Sequence, residues 1–262
     1  MFRRLPLILL AAALLAPAGV IAWLFWLPDV TPLKKSPPKT TAYIELRRAE
    51  AKRKHKPFDL RWEWVPYDSI SEDLRDAVIM AEDDTFWRHG GVEWQALKAA
   101  AKTDLREKRL AAGASTITMQ LARNLYLSPS KNPLRKIKEI LITKRLEKAL
   151  GKRRILELYL NTAEWGKGIF GCEAAARAYF GKSAAELTLD EAVAMAVVLP
   201  NPRRWDAGKG GKYVERNSQR IVDRMIASGM WEDVDSSTAA ADGSTVPPDV
   251  STTPAGSQTA TP

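Results

Sequence analysis

Residues 82–91, "EDDTFWRHGG", combine acidic, aromatic and histidine side chains at the end of an apolar helical pattern. The pattern places Glu82 at the border of the helix's apolar face, where a carboxylate is costly unless it has a partner or a task. The residues that share this stripe with Glu82 at helical spacing are Leu74, Val78 and Ala81. A carboxylate at this position is therefore a candidate for a functional role. The acids that follow it also fit a helix end facing water.

A second candidate region, residues 113–127, reads "GASTITMQLARNLYL". Ser115 or Thr116 suits the N-cap of a helix. One face of that helix is apolar and supplies the core contact, with Ile117, Leu121 and Leu125. The other face carries a polar row that core packing leaves unexplained: Thr116, Gln120, Arg123 and Asn124.

A third region is strongly basic, with ten Lys and Arg residues against two Glu residues between positions 131 and 154. Arg135, Lys136 and Glu139 lie within one helical turn. Ion pairs on a solvated helix face would explain this spacing. A clamp for phosphate or pyrophosphate would explain the excess of positive charge.

Helical spacing of apolar residues continues through most of the chain after residue 69. The motif Ser69-x-x-Glu72 predicts the start of the helix that carries Glu82, and Gly90-Gly91 predicts its end. Asn132-Pro133 predicts the start of another helix. These signals favour one mostly α-helical domain at residues 43–231.

The N-terminal 28 residues carry no charge between Arg4 and Asp29. This run provides the roughly 20 apolar residues that a membrane-spanning helix needs. A cleaved signal peptide is the alternative, with a cleavage-like site at residues 16–18. The apolar run continues beyond that site and contains Trp23 and Trp26, which favours an uncleaved anchor at residues 1–28.

The anchor and the domain are separated by a predicted linker, residues 29–42, which is rich in proline and lysine and is expected to be extended. Residues 232–262 are rich in Ser, Thr, Pro and Ala, and we expect this tail to be disordered. The net charge of +9 points to an acidic partner: nucleic acid, anionic lipid or a phosphorylated substrate. With Cys172 as the single cysteine and only two histidines, a structural zinc site is not expected.

The order of the motifs "EDxxFxxHxG", "GxSTIxxQLxxN", "RKxxE" and "KxxILExYLN" resembles the peptidoglycan glycosyltransferase family, which has a lysozyme-like α-helical domain. The later segment "WGKGIFG…VVLPNP" extends the resemblance to about residues 62–228. Met119 stands where the family usually has glutamine, and Arg123 where it often has lysine. The last family motif is degraded here, so that either Arg216 or Arg220 is a candidate for its arginine.

The resemblance implies that lipid II is polymerised into glycan strands. Glu82 would be the general base that takes a proton from the 4-hydroxyl of the acceptor sugar. The donor's pyrophosphate would leave with inversion, forming a β-1,4 bond and releasing undecaprenyl pyrophosphate. Glu139 would be the second catalytic carboxylate, either assisting the leaving group or organising the basic residues around it.

The family positions also imply a set of substrate-binding residues. Five of them are cations that would hold the pyrophosphate: Arg123, Lys131, Arg135, Lys136 and Lys152. The others are Asp83, Phe86, His89, Ser115, Thr116, Gln120 and Asn124. No metal ligand set and no required cofactor are expected, although Mg²⁺ could assist the pyrophosphate.

The implied partners are lipid II, the growing lipid-linked strand, the bilayer and other cell-wall synthesis proteins, but not nucleic acid. The implied location is the bacterial inner membrane, with a cytoplasmic N-terminus and the catalytic domain on the periplasmic side. Two alternatives are a membrane-anchored lysozyme-like glycan hydrolase and a basic binding module without catalysis. The second explains the charge but leaves Glu82 unexplained.

Overall fold

The computed structural model describes residues 19–107, 113–130 and 132–230. Helices dominate this part of the chain, which agrees with the predicted mostly α-helical fold. They are α1 Ala42–Arg53, α2 Glu72–Glu82, α3 Trp94–Glu107, α4 Ile117–Tyr126, α5 Pro133–Ala149, α6 Lys152–Thr162, α7 Cys172–Phe180, α8 Leu189–Val198 and α9 Lys212–Ala227. Two short 3-10 helices, Thr31–Lys34 and Tyr67–Ser69, precede α1 and α2 respectively.

A small sheet holds the beginning of the domain against its middle. Its strands are β1 Arg61–Trp62, β2 Glu164–Gly166 and β3 Ile169–Phe170. The strand order is β1-β3-β2, with β1 parallel to β3 and β2 antiparallel to β3. The sheet therefore attaches the segment after α1 to the hairpin that follows α6.

The helices pack as two groups around one hydrophobic core. In the first group, α2 contacts α8 and α9; in the second, α4 contacts α5 and α6, and α1 packs on α4. Buried side chains from both groups form a continuous cluster, including Leu74 and Val78 of α2, Leu121 of α4 and Ile142 of α5. The C-terminal end of α2 lies where the two groups meet, which is where Glu82 is found.

Capping residues explain where several helices begin. The Asn132 side chain accepts a hydrogen bond from the backbone N–H of Leu134, which confirms the predicted start of α5. Helix α2 is different from the prediction. Its N-cap is Ser71, whose side chain accepts from the N–H of Leu74. Ser69 instead ends the preceding 3-10 helix.

Helix α2 also ends earlier than Gly90-Gly91 had suggested. Its last residue is Glu82, and Asp83 leaves the helical conformation with φ −167°. The N–H of Phe86 donates to the Asp83 carbonyl in a turn, and the Phe86 side chain is fully buried. Burial of this ring and the polar contacts of Asp83 stabilise the turn relative to a longer helix. Residues 83–91 therefore form a compact loop beside Glu82.

The segment predicted as an extended linker is packed against the domain. Val30 and Leu33 belong to the core, and Thr31–Lys34 forms a helical turn. The guanidinium of Arg154 in α6 donates to the Leu33 carbonyl at 2.8 Å. Apolar burial at two positions offsets the flexibility that the proline- and lysine-rich composition had indicated.

Leu33 provides a test of this packing. We expect Leu33→Ala to lower the free energy of unfolding by about 2–5 kcal/mol, because it leaves a cavity at a fully packed position. Lys35 lies two residues away and its side chain is exposed, so that Lys35→Ala should change the free energy of unfolding by less than about 0.5 kcal/mol. Equal stability of the two variants, measured by denaturant unfolding, would show that the segment does not contribute to the core.

The predicted anchor lies mostly outside the described residues, and the predicted disordered tail lies entirely outside them. Residues 19–25 are helical, and the Trp23 carbonyl accepts a hydrogen bond from the Lys138 ammonium at 2.8 Å. Within the described ranges, no helix combines the length and apolar character needed to cross a membrane.

Candidate active site

Glu82 lies at the meeting point of the two helix groups, with its carboxylate held by α4. The Gln120 side-chain amide donates to Glu82 Oε2 at 2.6 Å. The hydroxyl of Tyr159, on α6, donates to the Gln120 carbonyl oxygen at 3.2 Å. Tyr159 is almost completely buried. This chain of hydrogen bonds orients the Gln120 amide, and through it one oxygen of Glu82.

The surroundings of Glu82 favour a protonatable carboxyl group. Burial raises its pKa above the ordinary value for glutamate, and the neighbouring charge of Asp83 acts in the same direction. The hydrogen bond from Gln120 and the positive charge of Arg123 lower the pKa, but burial has the larger effect. Glu82 can therefore accept a proton more readily than an exposed glutamate.

Asp83 has a different environment from Glu82 although the two are adjacent. It is buried, and its Oδ2 accepts from the backbone N–H of Ile117 at 3.0 Å. Its Oδ1 lies 2.7 Å from Nε2 of His89, whose Nδ1 accepts from the Gly91 N–H. The Nε2 atom therefore carries the imidazole proton and donates a hydrogen bond to Asp83. One oxygen of Asp83 thus connects the loop after α2 to the N-terminus of α4, and the other holds His89 within the loop.

The same loop is closed by Thr116 and Gly91. The Thr116 hydroxyl donates to the Gly91 carbonyl at 2.6 Å and accepts from the N–H of Met119, so that it also caps α4. Gly91 has φ +83°, and a Cβ there would lie 2.5 Å from the Glu147 side chain. The predicted polar residues Asp83, His89 and Thr116 therefore position α4, and with it Gln120, relative to Glu82.

We expect Asp83→Asn to destabilise the protein, because an amide cannot accept hydrogen bonds at both positions. One buried donor would lose its partner, at a cost of about 1–3 kcal/mol. Asp84→Asn is the matched control: Asp84 is exposed and forms a surface ion pair with Arg224, worth about 0–1 kcal/mol. Thermal unfolding of both variants checks the difference, and an unchanged Asp83→Asn protein would contradict the positioning role.

A buried cluster of charges lies beside Glu82 on α4 and α5. Glu139 is fully buried, and its carboxylate bonds to the guanidinium of Arg135 and to the ammonium of Lys136, the latter at 2.6 Å. Lys136 also donates to the Ser115 hydroxyl at 2.9 Å. Burial lowers the pKa of Lys136, Glu139 opposes this change, and the nearby arginines Arg123 and Arg135 add to it.

Arg123 is close enough to both this cluster and Glu82 for its charge to act on each. Its positive charge lowers the pKa of both Glu82 and Lys136. Its Nε is buried and has no hydrogen-bond partner among the described residues. A buried donor without a partner is costly, and such a group often marks the position of a ligand. Arg123 is therefore well placed to bind an anion beside Glu82.

Three other predicted binding residues in the described part of the chain are arranged differently: Lys152, Phe86 and Asn124. Lys152 bonds to Glu147 at 2.8 Å, and its ammonium lies 4.4 Å from the centre of the Phe86 ring. Phe86 itself belongs to the hydrophobic core. These contacts hold Lys152 in an ion pair at the side of the loop and give it no contact with Glu139. Asn124 is buried on α4, whereas Lys131 lies outside the described residues.

A cavity of about 250 Å³ opens next to Glu82. Its lining includes Gly113 and, from α9, Arg224. Arg216 and Arg220, the two arginines considered from the sequence, are exposed and do not line this cavity. Arg224 is one helical turn beyond Arg220, and this spacing was the only sequence signal for it. Its guanidinium donates to Asp84, which also lines the cavity.

The site residues thus combine one desolvated carboxylate, a set of fixed cations and an adjacent cavity. Such an arrangement can remove a proton from a hydroxyl group and stabilise negative charge on a leaving group. Within the described ranges, no group of three or more His, Cys, Asp and Glu side chains is arranged to hold a metal ion.

Comparison with known proteins gives a consistent result. A sequence model described as "Transglycosylase" matches residues 51–226. A biosynthetic peptidoglycan transglycosylase of Aromatoleum aromaticum is 46% identical over 223 residues, covering 85% of this chain and 94% of that protein. A protein of the same description from an Azoarcus species is 42% identical over 224 residues, covering 85% and 95% of the two chains. The resemblance seen in the motifs is confirmed, and the chain belongs to the transglycosylase family.

Proposed function

We propose that this chain is a peptidoglycan glycosyltransferase that joins lipid II units into β-1,4 glycan strands and releases undecaprenyl pyrophosphate. The observation that carries the proposal is that Arg123 lies close enough to Glu82 for its positive charge to lower the pKa of that carboxylate. Glu82 is a carboxylate whose pKa is raised by burial, and Arg123 is a cation whose buried Nε–H has no partner in the described part of the chain. A base and an anion-binding group side by side suit displacement of pyrophosphate by a hydroxyl.

On the acceptor side, Glu82 removes the proton of the sugar 4-hydroxyl as its oxygen attacks the donor's anomeric carbon. The new carbon–oxygen bond forms on the face opposite to the breaking bond, so that the configuration inverts. The hydrogen bond from Gln120 keeps one oxygen of Glu82 in place, and the other oxygen is then available for the acceptor hydroxyl.

On the donor side, Arg123, Arg135 and Lys136 stabilise the pyrophosphate as negative charge develops on it. Glu139 is bonded to two of these cations and is fully buried. This supports the second of its two expected roles, in which it organises the basic residues. Mg²⁺ bound to the pyrophosphate would add positive charge, but both oxygens of Glu139 are already bonded, and the proposal includes no metal-dependent step.

The proposal places the enzyme at the bacterial inner membrane, anchored by residues 1–28, with its catalytic domain on the periplasmic side. The described end of that segment is unusually exposed for apolar residues: Phe25 is 69% and Trp26 81% exposed. Aromatic side chains in this state suit a membrane interface. Lipid II, the growing strand, the bilayer and other cell-wall synthesis proteins are the proposed partners.

The decisive experiment incubates the detergent-solubilised chain with labelled lipid II. We expect glycan polymer and undecaprenyl pyrophosphate as products. Lys136→Ala should remove most of the activity, whereas Lys148→Ala, on the exposed side of the same helix, should retain it. Cleavage of purified cell wall without polymer formation would favour the hydrolase alternative, and binding without either reaction would favour the non-catalytic module.

A further inference from the structure

A second, larger cleft lies away from Glu82, between the C-terminal half of α1 and the β2–β3 hairpin. Its volume is about 470 Å³, within the usual range of ligand sites. Six of its lining side chains are basic: Arg47, Lys54, Lys56, Arg61, Lys167 and Arg203. Three are acidic: Glu50, Asp59 and Glu164. The cleft therefore carries an excess of three positive charges.

The arginines of the cleft form ion pairs with its acidic residues. The guanidinium of Arg47 bonds to both oxygens of Glu164, with the shortest contact at 2.7 Å, and to Glu50 at 3.1 Å. Arg203 lies 3.5 Å from Glu50 and 3.9 Å from Glu164. These ion pairs form the base of the cleft and neutralise its acids there.

Three lysines remain at the opening of the cleft. Lys54, Lys56 and Lys167 are exposed, and none of them forms an ion pair with another described residue. They come from two separate segments, the end of α1 and the β2–β3 turn. The positive charge that is available to a ligand is therefore spread around the opening instead of being focused on one point.

The two segments are held together by backbone contacts. The N–H of Arg61 donates to the Gly168 carbonyl at 2.9 Å. Gly168 has φ +75°, and a Cβ there would lie 2.4 Å from the Asp59 carbonyl oxygen. On the α1 side, the N–H of Lys56 donates to the Ala51 carbonyl. The lysines therefore project from backbone that is held in place by these contacts.

We propose that this cleft binds the carboxylate-bearing peptide of the peptidoglycan substrate. Separated lysines suit separated carboxylates, whereas a phosphate group is usually held by arginine forks or converging backbone N–H groups. Pro57 and Phe58 also line the cleft and offer apolar contact to the peptide. The identity of the ligand rests on the proposed function, since a glycan that carries peptides is the substrate of that reaction.

The position of the cleft along α1 fits this role. Tyr43, at the start of α1, is close enough to Arg123, Arg135 and Glu139 for their charges to influence its pKa, which burial raises. Arg47, one turn later, lies 5.9 Å from the Tyr43 ring and begins the cleft. The helix rise of 1.5 Å per residue places Lys54 about 16 Å beyond Tyr43. A substrate whose pyrophosphate is bound at Arg123 and Arg135 can therefore extend its peptide along α1.

Binding can be tested without relying on catalysis. The probes are a soluble disaccharide–peptide fragment of peptidoglycan and the same fragment with its carboxylates amidated, titrated calorimetrically into the full chain in detergent. We expect the acidic fragment to bind more tightly. The triple variant Lys54→Ala/Lys56→Ala/Lys167→Ala should weaken its binding about tenfold, as expected for three partly solvated charge contacts.

The control is Lys148→Ala/Lys209→Ala/Lys212→Ala, which removes the same charge from exposed positions outside the cleft. It should bind the fragment as the unmodified protein does. Equal affinity for the amidated fragment, or equal affinity of the two triple variants, would overturn the proposal. If lipid II is not polymerised but the fragment still binds in a lysine-dependent way, only the proposed function fails. If lipid II is polymerised but the cleft variant binds the fragment as tightly as the unmodified protein, only the peptide site is refuted.

Discussion

Glu82→Gln should make almost no glycan polymer while folding normally. General-base catalysis contributes about 10²–10⁴-fold to rate, and glutamine has a similar shape but cannot accept the proton. Burial raises the pKa of Glu82, so that the folded protein binds this proton more tightly than the unfolded chain. Stability is therefore lost as pH rises from the pKa of Glu82 in the unfolded chain to its higher pKa in the folded protein. At neutral pH the ionised carboxylate is destabilising. The glutamine variant should consequently melt at the same temperature or higher.

The measurements are initial rates of lipid II polymerisation and thermal unfolding at neutral pH. In the unmodified enzyme, kcat/KM should increase with pH as Glu82 loses its proton, and this acid limb should shift or disappear when Glu82 is replaced by aspartate or glutamine. A well-folded Glu82→Gln enzyme with a near-normal rate would refute the assignment. Asp83→Asn distinguishes the catalytic role of Glu82 from the positioning role of Asp83, because the Asp83 variant is expected to lose stability.

Glu139→Gln should lose activity as Glu82→Gln does, but it should also lose much of its stability. Glu139 is fully buried and bonded to two cations, Arg135 and Lys136. Removing one partner of a buried ion pair typically costs about 3–5 kcal/mol, because the remaining charge is left without compensation. Chemical denaturation of the variant measures the loss directly.

Two comparisons make this prediction specific. Glu45→Gln breaks an exposed pair with Arg48 and should cost less than about 1 kcal/mol. Adding Lys136→Met to Glu139→Gln removes one uncompensated cation and should recover part of the stability without restoring polymerisation. If Glu139→Gln proves as stable as Glu45→Gln, the buried charge cluster does not hold the donor side together in the proposed way.

Local patterns in the sequence were sufficient to predict several parts of this molecule. Helical spacing indicated a mostly α-helical domain, and Asn132 identified the start of α5, because capping depends on a few neighbouring residues. The border position of Glu82 on an apolar stripe predicted its partial burial. The family followed from the order of motifs, which the comparisons confirm.

Tertiary contacts decided what those local patterns left open. Helix α2 ends at Glu82 because Asp83 bonds to Ile117 and His89, and one of those partners lies 34 positions further along the chain. The linker prediction failed for a related reason: its composition favours an extended chain, but two apolar residues, Val30 and Leu33, find space in the core. Local propensity is weaker than burial of this kind.

The roles of the individual site residues also depended on distant contacts. The family motifs made Asp83 and Lys152 candidate substrate-binding residues, but the structure pairs them with His89 and Glu147. Arg224 reaches the cavity beside Glu82 only because α9 packs against α2. The sequence alone determined which residue types were present and which helix faces carried them. Only the folded chain determined which charges were neutralised, because pairing depends on distances between helices far apart in sequence. It also determined that the buried Nε of Arg123 has no partner among the residues that the structure describes.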